Sequence, residues 1–138
     1  TVLPALTTFV RSLREAGGRD GFLLARPERG SACKRWHLFL RWMVRRDDVD
    51  PGGWSGIPAS MLVVPLDTHM HRIGRGLGGT ARKQADGKAA LEVTEMFRSV
   101  APEDPVRYDF SLTRLGIRPE GDPKAWIAAC RGRGRRTT

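Results

Sequence analysis

Apolar residues recur along this chain three and four positions apart, the spacing of amphipathic helices, and nowhere alternate as they do in a strand. Leu6, Phe9, Val10 and Leu13 follow Pro4, a residue suited to a first helical turn, and Gly17-Gly18 ends that helix. After an Arg-, Gly- and Pro-rich loop, Ser31 reads as the N-cap of a helix running to about Arg46. Its stripe is Trp36, Phe39, Leu40, Met43 and Val44, which the spacing predicts as buried. Lys34, Leu38, Arg41 and Arg45 then fall on the opposite side, so this helix is expected to pack on one face and present cations on the other. By spacing, Trp36 and Trp42 read as core rather than as stacking platforms.

Asp47 to Pro58 is turn-rich, and Met61 to Pro65 is a short apolar run held extended by its proline. Asp67 is expected to cap a helix burying Met70, Ile73 and Leu77 and ending at Gly78-Gly79. Gly74 to Gly79 is thus a glycine-rich helix end; no strand precedes it, so it is not a dinucleotide loop. A helix over about Lys88 to Val100 buries Leu91, Val93, Met96, Phe97 and Val100. Asp104-Pro105 opens another through Val106, Phe110, Leu112 and Leu115, and Asp122-Pro123 repeats that start before Trp126 and Ile127. The pattern predicts an all-α fold, with one domain over residues 1–130 and a disordered basic tail over 131–138.

Charge adds a partner class. Of 24 basic residues only Lys34, Lys83, Lys88 and Lys124 are lysine, so 20 are arginine, and the net charge is +9. Arginine forks match phosphate, which points to nucleic acid, although a GC-rich coding sequence enriches arginine without any function. No apolar run approaches the roughly 20 residues of a membrane helix. Cys33 and Cys130 cannot build a disulfide framework or a four-thiolate cluster, so a cytoplasmic setting is expected, nucleoid-associated if DNA is bound. The chain opens at Thr1 without an initiator Met, which reads as processing or as a fragment.

The stretch Val64-Pro65-Leu66-Asp67-Thr68-His69-Met70-His71-Arg72-Ile73 resembles the V-D-T-H-x-x-R-[VI] segment of helix-hairpin-helix DNA glycosylases, the endonuclease III superfamily. Asp67 matches the aspartate that lies beside the flipped nucleotide there, and Thr68, His69 and Arg72 match positions following it. Gly30-Ser31-Ala32-Cys33-Lys34 resembles that superfamily's G-V-G-x-K hairpin, whose lysine is the nucleophile of lyase members; Ala32 stands where its second glycine belongs. More closely, Gly30 to Arg35, Leu38 to Arg45, Asp47 to Asp50 and Pro65 to His69 resemble an uncharacterised bacterial family. Its members carry a domain of unknown function and look like remote relatives of the glycosylases. The resemblance implies an orthogonal helical bundle like the C-terminal half of a glycosylase, with the missing N-terminal part of its own chain as a further partner.

What the resemblance implies for activity is DNA repair by a base-excision glycosylase or abasic-site lyase. Asp67 and Lys34 would be catalytic, and Gly30, Ser31, Lys34, Arg35, Arg41, Arg45, Thr68, His69 and Arg72 would bind nucleic acid. DNA is the expected partner, with RNA not excluded. A non-catalytic nucleic-acid-binding domain on the same scaffold is the alternative. The chemistry is coherent: a fixed carboxylate stabilises positive charge at a sugar C1′, and a lysine amine can attack that carbon. Neither step requires a cofactor or metal. His69 and His71 point about 200° apart on a helix, and Asp67 with His71 lacks a third ligand, so no metal site is expected. Each residue also has an ordinary reading. Asp67 is a good cap, Lys34 a lysine at a helix start, and Cys33, though beside two cations that favour its thiolate, a small buried residue.

Overall fold

Leu62, Val63, Val64 and Leu66 are the most deeply buried consecutive stretch, yet they form no helix, because Pro65 lacks an amide hydrogen and disfavours helix before it. They run extended through the middle of a helical assembly. The Val64 amide donates to Thr94 Oγ1 at 3.0 Å, and that hydroxyl donates to the Ala90 carbonyl at 2.6 Å. A lone extended segment thereby satisfies a buried backbone group without a strand partner.

In this computed structural model, which describes residues 1–17, 19 and 24–134, the described residues form six α-helices and no strand. These are α1 (Leu3–Glu15), α2 (Lys34–Val44), α3 (Thr68–Leu77), α4 (Gly87–Arg98), α5 (Asp109–Ile117) and α6 (Pro123–Gly134). The all-α expectation holds. Helix α3 is central and packs against α4, α5 and α6. Its glycines make this possible. A Cβ at Gly74 would lie 2.5 Å from a Val93 methyl, and one at Gly76 2.5 Å from the Ile127 Cδ1. Gly78, at φ 86°, closes the helix in the left-handed conformation.

Several boundaries and faces differ from the pattern. Helix α2 starts at Lys34, with Cys33 rather than Ser31 at its N-cap position, and its buried residues are His37 and Arg41. Leu40 and Val44 pack against the main core, but Phe39 is exposed and stacks edge-on with Trp54. Trp36 packs against a smaller cluster of Leu6, Val10 and Cys33, and edge-on against an exposed Phe9. The helix is turned so that a cation, not the centre of the apolar stripe, faces inward. Val100 is exposed beyond the end of α4. Helix α5 begins at Asp109 rather than at Asp104-Pro105, because the Asp104 carboxylate accepts from Arg45 Nε, at 3.1 and 3.0 Å, instead of capping a helix. Helix α6 is capped by Asp122 as expected and continues to Gly134, past the domain end expected at residue 130. Gly18 and residues 135–138 of the tail lie outside the described residues.

Candidate nucleic-acid-processing cleft

Lys34 is placed by the loop before it. Gly30 is left-handed at φ 78°, and its carbonyl accepts the Gly87 amide at 2.8 Å, pinning the loop to the start of α4. A Cβ at Gly87 would come within 2.8 Å of the Ser31 carbonyl. Ser31 Oγ accepts the Cys33 amide at 3.1 Å, shaping the turn that leads into α2. Cys33 holds φ 48°, rare for a residue with a side chain, and its burial pushes the thiol up, away from the reactive thiolate. Lys34, the first residue of α2, is left projecting outward.

Asp67 is placed by the Pro65 break. It caps α3, accepting the Met70 amide at 2.8 Å through Oδ1. Its second oxygen, Oδ2, lies 3.3 Å from Lys34 Nζ, with side-chain exposures of 14% for the acid and 48% for the amine. The two candidate catalytic residues therefore meet, although 33 positions separate them in the chain. They line a cleft of about 320 Å³ together with Arg41, Trp42, Asp109 and Phe110. A wider depression of about 720 Å³, bounded by Gly30, Ser31, Arg35, Gln84 and Asp86, adjoins it through Lys34 and Leu38.

The other candidates divide. Arg35, Thr68 and Arg72 are exposed. His69 packs on Gly116 of α5, where a Cβ would approach its ring nitrogen to 3.0 Å. Arg41 and Arg45 are not on a solvent face, which corrects the expectation of a four-cation surface. Arg41 is 4% exposed, donates through Nε to Asp50 Oδ1 at 3.1 Å, and pairs with Asp109 through Nη1. Arg45 pairs with Asp47, Asp50 and Asp104. The turn-rich segment after α2 delivers two of these acids. Asp47 Oδ1 accepts the amides of Val49 and Asp50, and the Gly52 and Trp54 amides donate back to the α2 carbonyls of Trp42 and Met43. Four acids thus neutralise the C-terminal end of the helix.

Over residues 1–118 the sequence matches a family described as a protein of unknown function (DUF2400). The chain belongs to the DUF2400 family. The matched span contains the whole cleft, including Lys34, Asp67 and the Arg41 network, and stops before α6. No curated protein matches this DUF2400 chain, and no solved structure does.

Two residues of the DUF2400 cleft escaped the sequence pattern. Trp42 is 42% exposed beside Lys34 and Asp67, not core. Asp109 is buried at the start of α5, and desolvation pushes its carboxyl up to about 6, against the pull of Arg41. The signal that could have found Asp109 is an acid in a first helical turn, but Asp104 offered a stronger one. Among the described residues no group of three His, Cys, Asp or Glu is placed to hold a metal ion. His71 engages the Arg82 carbonyl through Nε2 at 2.9 Å. No helix among them is long and apolar enough to cross a membrane.

Proposed function

We propose that this chain acts in DNA repair as a base-excision glycosylase or abasic-site lyase, with Lys34 as nucleophile and Asp67 as the fixed carboxylate. One observation carries the reading: Lys34 Nζ, half exposed, sits 3.3 Å from Asp67 Oδ2 in an open cleft. With its amine half in water the pair is screened and adds on the order of 1 kcal/mol, although Asp67 itself is largely buried, so stability is a weak reason for the arrangement. As chemistry it has a purpose. Asp67 is anchored by the Met70 amide and, as a carboxylate, can face the positive charge that develops at C1′, while the Lys34 amine, once it has given its proton to water, can attack that carbon. A target nucleotide must leave the duplex to reach such a pair, and the cleft is concave and bordered by exposed Trp42 and Phe110. Backbone phosphates would be met by Lys34, Arg35 and Arg72, not by Arg41 or Arg45.

Borohydride reduction of a mixture with abasic-site duplex tests the reading, because it converts a Schiff base into a stable protein–DNA adduct. The wild-type chain is expected to be trapped, Lys34→Ala to be untrapped, and Asp67→Asn, which preserves a cap, to be slowed about 10²-fold. Duplex binding without any adduct would make the chain a non-catalytic nucleic-acid-binding domain instead.

A further inference from the structure

We propose that Asp109 is the proton-carrying catalytic residue of this cleft, a role that rests on the lyase reading above and adds to it a third working group. Asp109 lines the cleft with Lys34 and Asp67, although its side chain is only 5% exposed. Oδ2 is held by Arg41. Oδ1 is buried and, among the described residues, has no hydrogen-bond partner. A buried acceptor left unmatched is unfavourable, and it is relieved either by a proton of its own or by a donor on a bound molecule. The other two groups are already committed. Asp67 gives one oxygen to the α3 cap and the other to Lys34. A nucleophilic Lys34 cannot also serve as the acid.

The electrostatic setting fits a group that exchanges protons near neutrality. Facing Asp109 are Arg41 from α2, Asp50 from the loop after it, and Asp67 from the start of α3. Burial is the largest influence and raises the carboxyl, Arg41 lowers it, and Asp67 and Asp50 raise it further, for a value of about 6. A general acid–base works best with its titration close to the operating pH.

The reaction then balances. The Lys34 amine adds to the C1′ aldehyde of an opened abasic deoxyribose, and the carbonyl pair moves to oxygen. A proton passes from nitrogen to that oxygen, leaving a neutral carbinolamine. Neutral Asp109 protonates the hydroxyl, the C1′–O bond breaks with its pair on departing water, and the nitrogen lone pair forms the cationic Schiff base. Asp109, now a carboxylate, removes a C2′ proton. The C–H pair forms the C1′–C2′ double bond as the imine pair returns to nitrogen. The resulting enamine expels the 3′ phosphate, with the C3′–O pair leaving on the phosphate and the conjugated Schiff base forming. Asp109 ends protonated, as it began, and water releases the sugar fragment.

The test uses the full chain and a duplex with one abasic site, measuring strand cleavage and borohydride trapping from about pH 5 to about pH 8. Wild-type cleavage is expected to decline as pH rises through about 6. Asp109→Asn should abolish that decline and slow cleavage about 10²-fold, and Asp109→Glu should restore part of both. Asp50→Asn removes the other acid on Arg41 without touching the cleft, and should keep the decline, moved to lower pH because Asp50 raises the Asp109 carboxyl. If Asp109→Asn keeps the decline, or Asp50→Asn also loses it, Asp109 is structural and the proposal is overturned while the lyase reading stands. A wild-type chain that forms no adduct overturns both. Should Asp109→Asn fail to fold, carboxyl resonances of the wild-type chain decide. Binding a duplex with a tetrahydrofuran abasic analogue should move the Asp109 titration, and an unmoved titration overturns the role.

Discussion

At the N-terminal end of α2, Lys34 and Arg35 are exposed beside an open cleft; farther along, Arg41 is buried and Arg45 is enclosed by acids. All four cations belong to one short segment and look equivalent in the sequence. Their fates diverge through residues far away in the chain. Arg45 meets Asp104, 59 positions on, and Arg41 meets Asp109, 68 positions on. Near the helix start the only acid within salt-bridge distance of Lys34 Nζ among the described residues is Asp67. One end of the helix is knit into the fold by buried ion pairs, and the other places an exposed amine at the cleft. Net charge is accordingly a poor guide to the binding surface here, because part of the arginine content is spent internally.

The largest effect that would separate the two ends is expected at Arg41. Removing it leaves Asp50 and Asp109 buried without their shared cation, and breaking a buried pair by deleting one partner costs about 3–5 kcal/mol. Arg41→Ala should lose that much in urea unfolding, whereas Lys34→Ala, at the other end of the helix, should stay within about 1 kcal/mol of wild type. A mild Arg41→Ala phenotype would mean that the network is not what holds α2 to α5.

A pH series sharpens the same contrast. The Asp109 carboxyl is raised from its ordinary value to about 6, so its stabilising neutral form is fully present below about 3.8 and is lost as pH rises through about 6. His37, on the same inward face, is lowered by burial from 6.5 to about 4, so its contribution is present above 6.5 and lost as pH falls towards 4. Between those limits the two oppose each other. Asp109→Asn should remove the alkaline loss and leave the acid loss, which His37→Gln should remove in turn. The deficit of Arg41→Ala should also shrink at acid pH, where Asp109 takes up a proton in place of its lost cation.

The parts of this molecule that were legible in the sequence rest on local rules. Asp67 at a helix start, the Pro65 break, the capping Asp122 and the helical class all follow from neighbours within a few residues. So does the α3 stripe of Met70, Ile73 and Leu77. A shared cleft for Lys34 and Asp67 was a condition of the lyase chemistry implied by two resembling motifs, and helix phase allowed it by placing Lys34 opposite the apolar stripe. What was missed depends on distant partners. An amphipathic pattern assumes that cations face water, and Arg41 breaks that assumption because acids from two other segments surround it. Trp42 has core-like spacing, yet the fold leaves it at the rim of the cleft. Asp104 has the form of a cap, but Arg45 claims its carboxylate, so α5 starts later and brings Asp109 inward.

A smaller effect is expected at the α3 cap. Asp67→Ala removes the acceptor of the Met70 amide, at a typical cost of about 1 kcal/mol, and Asp67→Asn should recover most of it. Differential scanning calorimetry of the two variants separates the cap from the charge. If Asn were as damaging as Ala, the ion pair rather than the cap would be the stabilising element.

The smallest effect on stability is expected at Lys34, and there the two ends of α2 differ most clearly. Its amine is half exposed, and Asp67, 14% exposed, keeps the Met70 amide when the cation is removed. Lys34→Ala should change the unfolding free energy by about 0–1 kcal/mol, within the range of exposed pairs, and added salt should shrink even that difference. The same substitution should abolish trapping on abasic-site DNA. Arg45→Ala, which removes a cation outside the cleft, should show the converse at a temperature where it remains folded: a stability loss with the Schiff base still formed. If Lys34→Ala instead destabilised the chain as much as Arg41→Ala does, the cleft pair would be part of the scaffold. The division of α2 into a structural end and a working end would then fail.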